Sequence, residues 1–109
     1  MAIAYKVLGQ SNPSATTATT LYTVPSATEA VVSTITICNQ AASAATYRIA
    51  VRPDGASLAA QHYVAYDVSL PGNATDTLTL GITVNASDVI TVYASTATMS
   101  FNAYGSEIA

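Results

Sequence analysis

Residues 75–84, TDTLTLGITV, carry an apolar side chain at every second position, with Leu78, Leu80, Ile82 and Val84 set against Thr77, Thr79, Gly81 and Thr83. Side chains alternate between the two faces of a strand, so such a stretch buries one face and leaves the other polar. The two-residue period recurs along the whole chain. No window of about 11 residues keeps apolar positions at the i, i+3, i+4, i+7 spacing of an amphipathic helix. Thr, Val, Ile and Tyr, which suit a pleated and half-buried surface, dominate every periodic segment. Without helices to cover a parallel sheet, the strands must pair antiparallel.

The pattern predicts strands over residues 2–8, 20–24, 29–38, 46–52, 61–70, 75–84, 89–95 and 98–105. Gly, Pro, Asn and Asp clusters separate them: PSATE, PDGAS, PGNA and NASD all have turn composition. In 29–38 the expected inward residues are Val31, Ile35 and Ile37 around Ser33, and in 46–52 they are Tyr47, Ile49 and Val51. In 61–70 the alternation sets His62, Val64, Tyr66, Val68 and Leu70 against Tyr63, Ala65, Asp67 and Ser69. About eight short strands with turns every 8–12 residues describe an all-β fold, an antiparallel two-sheet β-sandwich with the jelly roll among its topologies. The 109 residues suffice for one such domain, 1–109. Residues 1–20 include GQSNPSATTATT, a polar stretch that reads as an arm or contact loop.

Charge is scarce. Only 8% of residues are Asp, Glu, Lys or Arg, against about 25% in an ordinary domain. The cations are Lys6, Arg48 and Arg52, too few and too scattered for the basic stripe that a phosphate backbone requires, so nucleic acid is not an expected partner. No apolar run is long enough to span a bilayer as a helix, and MAIAYKVLGQ lacks the basic start and apolar stretch of a signal peptide. No membrane partner is expected.

Chemistry-bearing residues are equally sparse. His62 is the sole histidine and lacks a nucleophile and an orienting carboxylate at any recognisable spacing. Cys38 is the sole cysteine, which excludes an internal disulfide and a CxxC metal motif. Asp67 and Asp76 could meet only across a turn, and PDG at 53–55 lacks the later ligands of a calcium loop. The expectation is a non-enzymatic protein with no catalytic residues, no cofactor and no metal. Tyrosine is the exception to this plainness, with seven in the chain. Tyr63 and Tyr93 fall opposite the expected core face, and Tyr5 and Lys6 lie in the N-terminal segment. These four are the candidate interface residues, because exposed tyrosine offers large contact area and one hydrogen bond at small entropic cost.

The stretch TLYTVPSATEAVVSTITICNQAASAATYRIAVRPDG, with the opening IAYKVLGQ and the closing VYASTATMSFNAYGSEI, resembles small β-rich structural proteins of tailed bacteriophages, including phages of cyanobacteria. The elements that carry the resemblance are LYTVP, a Val/Ile-rich strand ending in ICN, a short Ala/Ser loop and ATYRIAVRP. The resemblance implies a location in the virion and no activity. It implies a decoration or cement protein on the head lattice that forms homo-oligomers and binds the major capsid protein or other virion proteins. A small tail or baseplate component anchoring fibres is its alternative, and a carbohydrate-binding module that contacts a receptor is a third reading. Low charge and abundant tyrosine fit surfaces that neighbours cover. The neutral Ser/Thr/Ala faces of 29–39, 75–84 and 89–100 are therefore expected to touch other subunits as often as water.

Overall fold

A computed structural model describes residues 2–109. It contains eight strands: β1 (Ile3–Ser11), β2 (Thr19–Thr23), β3 (Glu29–Asn39), β4 (Ala45–Arg52), β5 (Tyr63–Leu70), β6 (Thr75–Val84), β7 (Val89–Ala94) and β8 (Met99–Ile108). Two short 3-10 turns, Pro53–Gly55 and Ala60–His62, interrupt the β4–β5 connection. The strands form two four-stranded sheets, sheet A in the order β1-β8-β3-β6 and sheet B in the order β2-β7-β4-β5. All pairings are antiparallel.

The pairing is nested, β1 with β8, β2 with β7, β3 with β6 and β4 with β5. The first half of the chain thus runs alongside the second half reversed, and the double ribbon alternates between the two sheets. That wrapping is the eight-stranded jelly-roll topology. The β-sandwich read from the sequence is the fold.

The inner faces of both sheets supply the core. Val32, Ile35, Ile37, Met99, Phe101 and Ala103 from sheet A meet Tyr47, Ile49, Leu70, Ile90, Val92 and Ala94 from sheet B. The Tyr47 and Phe101 rings meet edge to face, with centroids 6.2 Å apart. Each fully buried branched side chain contributes about 1.5–3 kcal/mol. Tyr47 keeps its hydroxyl satisfied by donating to Asp76 Oδ2 at 2.8 Å.

Bulges change which residues face inward. In β3 the buried residues are Ala30 and Val32 before Ser33, and Ile35 and Ile37 after it. The register against β8 shifts between Val32 and Thr34, so Ser33 and Thr34 both face outward and the parity reverses. Val31, expected inside, lies on the outer face, and Val32 takes its place. The bulged Ser33 hydroxyl donates to the Tyr104 carbonyl at 3.1 Å. Extra residues stand beside this one in the neighbouring strands, Leu8 in β1 and Leu80–Gly81 in β6. A line of irregularity therefore crosses sheet A at Tyr104–Gly105, where bulges bend a sheet.

β5 departs further from simple alternation. Its register against β4 shifts at Val64 and again at Tyr66–Asp67, where Asp67 has a φ of 49°. Ala65 and Val68 pack on the core, whereas Val64 and Tyr66 are 50% and 55% exposed. The expected inward set of 61–70 is thereby corrected: two bulges turn Val64 and Tyr66 out, and only Val68 and Leu70 of that set remain inside as strand residues.

The loops are tied down. Residues 9–11 of the expected arm or contact loop continue β1, and the stretch that follows is anchored by Asn12 Nδ2 donating to Met99 O at 2.6 Å and by the Thr16 amide donating to Ala94 O at 2.8 Å. Residues 53–62 fold back over the outer face of sheet B, where Arg52 donates to Ala56 O at 2.7 Å, to Gly55 O at 3.0 Å and to Thr91 Oγ1 at 3.3 Å. At the opposite end, the wholly buried Asn39 donates through Nδ2 to Ser43 O at 2.9 Å and Leu70 O at 3.3 Å. Its Oδ1 accepts from the Ala41 amide and from Thr98 Oγ1, each at 3.1 Å.

Candidate interaction surfaces

The groups singled out for chemistry end up apart. His62 closes the second 3-10 turn and is buried, with Nδ1 accepting from the Ala59 amide at 3.1 Å. The ring therefore serves the loop that covers sheet B. Cys38 is a free, half-buried thiol on β3, across from Ser100 and Thr75. Asp67 is engaged by Arg48 and Asp76 by Tyr47, on opposite sides of sheet B. Among the described residues no group of three or more His, Cys, Asp or Glu side chains converges.

The first surface lies on the outer face of sheet A. From Ile3 to Val7, β1 runs in constant register with β8, pairing Ile3 with Ile108, Tyr5 with Ser106 and Val7 with Tyr104. These side chains point away from the core. Ile3 is 51% exposed, Tyr5 83%, Val7 48% and Tyr104 37%. Val31, turned out by the Ser33 bulge, extends the patch to β3. A shallow groove bounded by Tyr5, Val7, Val31 and Tyr104 runs along it. Contiguous exposed apolar side chains of this kind mark contact surfaces.

Lys6, on the same strand, faces the other way. Its Nζ lies 2.7 Å from Glu107 Oε1, and Glu107 Oε2 accepts a 2.5 Å hydrogen bond from the Tyr22 hydroxyl. These two hydrogen bonds, Lys6 first, hold the Glu107 carboxyl below the usual glutamate range. Burial, and then the same carboxylate, push the Tyr22 phenol well above its ordinary value. The trio joins β1 and β8 of one sheet to β2 of the other. Of the two N-terminal candidates, Tyr5 is thus free for contact, and Lys6 is committed to closing one end of the sandwich.

The second surface lies on the outer face of sheet B and gathers Tyr63, Tyr66, Tyr93, Arg48 and Asp67. The Arg48 guanidinium sits 4.2 Å from the Tyr66 ring centroid and 4.3 Å from that of Tyr93. Tyr63 meets Tyr66 edge to face at 4.8 Å. Arg48 donates through Nε to Asp67 Oδ1 at 2.6 Å and through Nη2 to Oδ2 at 3.3 Å. The bulge at Tyr66–Asp67 makes this possible. In a regular strand, consecutive residues face opposite ways, whereas here both stand opposite Arg48. Beside the cluster, Leu58, Ala59 and Ala60 from the covering loop form a shallow groove with Tyr63 and Tyr66.

Comparison with protein-family models, with curated proteins and with solved structures finds no match to this chain.

The four candidate interface residues therefore divide between two surfaces. Tyr63 and Tyr93 belong to the arginine-centred cluster on sheet B, and Tyr5 belongs to the apolar patch on sheet A. Sequence reasoning missed Arg48, Tyr66 and Asp67 as one unit, because it required the β5 bulge. It also missed Tyr104 and Val31 as neighbours of Tyr5, although the alternation in β8 already set Tyr104 opposite Phe101.

Proposed function

We propose that this chain is a non-enzymatic virion structural protein, a decoration or cement subunit that stabilises a phage head lattice through contacts between subunits. The observation that carries the assembly reading is the outer face of sheet A, where Ile3, Tyr5, Val7 and Tyr104 stand exposed together. Between them stand the neutral Val31, Ser33 and Ser106, and the one charged residue bordering the groove, Lys6, is paired with Glu107. Close approach there leaves no unpaired ion to bury, and burying an unpaired ion is the costly event at an interface. The placement on a phage head comes from the resemblance of LYTVP, ICN and ATYRIAVRP to phage structural proteins. A jelly-roll sandwich suits the role, since its rigid faces and loops present surface without needing to move.

Two measurements test the proposal. Quantitative mass spectrometry of virions should find hundreds of copies per particle. A few dozen copies or fewer would move the protein to the tail or baseplate, and none would end the virion reading. Co-sedimentation with purified heads should be lost on Tyr5→Lys together with Tyr104→Lys, and unchanged binding would remove the sheet A face from the proposal.

A second reading draws on the groove at Leu58, Tyr63 and Tyr66, whose exposed aromatic edge suits the apolar face of a sugar. It makes the chain a carbohydrate-binding receptor-contact module. A glycan array should then give hits that Tyr66→Ala abolishes, and an array without hits removes this reading.

A further inference from the structure

The four strands at the sheet edges differ in what they offer a neighbour. β5 has two bulges, β6 has one at Leu80–Gly81, and β2 has only five residues with a register shift of its own. Bulges twist an edge away and break the row of backbone groups that an added strand would need. β1 carries no such device between Ile3 and Val7, where its register against β8 is constant. Further along, β2 closes against it: a Cβ placed on Gly9 would lie 2.0 Å from the Leu21 carbonyl oxygen. The open edge is therefore the segment from Ile3 to Val7.

The direction of its backbone groups follows from the ladder. Ala2 and Ala109 exchange both hydrogen bonds, at 3.0 and 2.9 Å. Bonded and non-bonded pairs alternate in an antiparallel ladder, so Ala4 with Glu107 and Lys6 with Gly105 are the next bonded pairs. Ile3, Tyr5 and Val7 consequently aim their N–H and C=O groups away from β8, at the open edge. The same three residues carry the exposed apolar side chains.

We propose that this edge pairs with the same edge of a second copy of the chain, β1 antiparallel to β1 about a two-fold axis at Tyr5. Tyr5 then pairs with the second copy's Tyr5, and Ile3 pairs with its Val7 on either side. These are three residue pairs, each exchanging two backbone hydrogen bonds. The contact is isologous, as a closed dimer requires. Side chains match as well: an aromatic pair at the axis is flanked by two Ile–Val pairs on one face. On the other face Lys6 falls opposite Ala4 and keeps its own carboxylate, Glu107. Other registers serve less well. A one-residue slip sets edge-facing groups against residues already bonded to β8, a two-residue slip in one direction sets Lys6 against Lys6, and the same slip in the other direction leaves Val7 without an edge-facing partner from Ile3, Tyr5 or Val7. The dimer fuses the two four-stranded A sheets into one continuous antiparallel sheet and brings two copies of the Tyr5–Val7–Tyr104 patch side by side.

This deepens the assembly reading without requiring a phage head, so a monomer in solution would leave the head-binding test standing. Sedimentation equilibrium of the full chain from about 5 μM to about 1 mM, a range suited to a small contact, should show reversible dimerisation. Tyr5→Lys sets two ammonium groups at the axis and should weaken the dimer at least tenfold. Because Tyr5 is 83% exposed, the variant should melt as wild type does. In a Cys38→Ser background, Tyr5→Cys should oxidise to a covalent dimer, since hydrogen-bonded partners have Cα atoms about 5.5 Å apart. Val64→Cys and Leu80→Cys, on the bulged edges, should stay monomeric. A single monomeric species throughout the range, a dimer indifferent to Tyr5→Lys, or faster crosslinking at Val64 or Leu80 would each overturn the proposal.

Discussion

Replacing Asn39 should unfold one end of the sandwich, and the size of the effect can be worked from its contacts. The side chain is wholly buried and joins three connections: the β3–β4 loop through Ser43 O and the Ala41 amide, the β5–β6 turn through Leu70 O, and the β7–β8 turn through Thr98 Oγ1. Asn39→Ala removes these four contacts and a longer one from Nδ2 to Pro71 O at 3.4 Å, each with a net worth of at most about 0.5–1.5 kcal/mol. Part of this is recovered, because Thr98 already shares a 2.7 Å hydrogen bond with Thr96 and the loop carbonyls can reach water. The expected loss is about 2–4 kcal/mol, a large fraction of the roughly 5–15 kcal/mol that holds a domain together. Urea titration should show the midpoint falling with an unchanged slope. The thermal midpoint should fall by roughly 8–30 °C, taking about 4–8 °C per kcal/mol at this size. Asn39→Asp separates polarity from volume. It keeps the shape but turns a carboxylate oxygen toward the Ser43 and Leu70 carbonyls, so burial and these dipoles raise the carboxyl's folded pKa above its unfolded value. The folded state then binds the proton more readily, and the variant's deficit relative to wild type should shrink as pH falls from 7 toward 5. An Asn39→Ala protein within about 0.5 kcal/mol of wild type, smaller than the net worth of one typical hydrogen bond, would refute the reasoning. So would an Asn39→Asp deficit that does not change with pH.

Three further outcomes follow from single contacts. Gly105→Ala should cost about 3 kcal/mol or more, because a Cβ there lies 1.9 Å from the Val31 carbonyl oxygen between two central strands; Gly81→Ala, with open space around it and a φ of +63°, should cost only about 1–2 kcal/mol, and thermal melts compare the two. Glu107 has a folded pKa below its unfolded value, so its contribution is present above the ordinary glutamate range near 4.3 and disappears as pH falls through the folded value. Glu107→Gln should therefore be less stable than wild type at pH 7, by no more than about 1 kcal/mol given the exposed Lys6, and urea titrations should show that deficit shrinking as pH falls below the ordinary glutamate range. Tyr22 and Tyr47 have raised folded pKa values, first through burial and then through their carboxylate partners. Wild-type stability should hold up to about pH 10, the unfolded tyrosine pKa, and decline above it, and Tyr22→Phe with Tyr47→Phe should flatten that decline.

What could be read from the chain was the period, and what could not was its interruption. The alternation in 75–84 gives Leu78, Ile82 and Val84 their inward positions because those residues lie away from the Leu80–Gly81 irregularity. Leu80, in the same alternation, is 49% exposed because it sits in that irregularity. Ser33 shares the parity of Val31, Ile35 and Ile37 and so falls on their face in a regular strand, and nothing local says that it and Thr34 both turn outward. The bulge exists because β3 must match β8 on one side and β6 on the other, which is a property of the sheet. The same holds for Tyr66 and Asp67, whose joint service to Arg48 rests on a φ of 49° at an aspartate. Asn39 stood out only as the end of ICN. Its role depends on the nested pairing that gathers three connections at one end of the sandwich.

The scarcity of charge can now be located. Of the three cations, Lys6 is spent on Glu107, Arg48 on Asp67 and two tyrosine rings, and Arg52 on the loop that covers sheet B. Each ties one part of the same chain to another, so no cation is left on the outer face of sheet A, whose exposed carboxylate, Glu29, lies at the end of the patch opposite Ile108. Edge strands in free-standing proteins are commonly guarded by an unpaired lysine, a proline or a bulge. β5 and β6 follow that practice with bulges, whereas β1 has none from Ile3 to Val7 and its one lysine, Lys6, is held by Glu107. A regular, bulge-free edge beside an exposed apolar face is a liability for a protein that remains alone. Both features fall on Ile3, Tyr5 and Val7, which is where a protein built to sit among copies of itself would place its first contact.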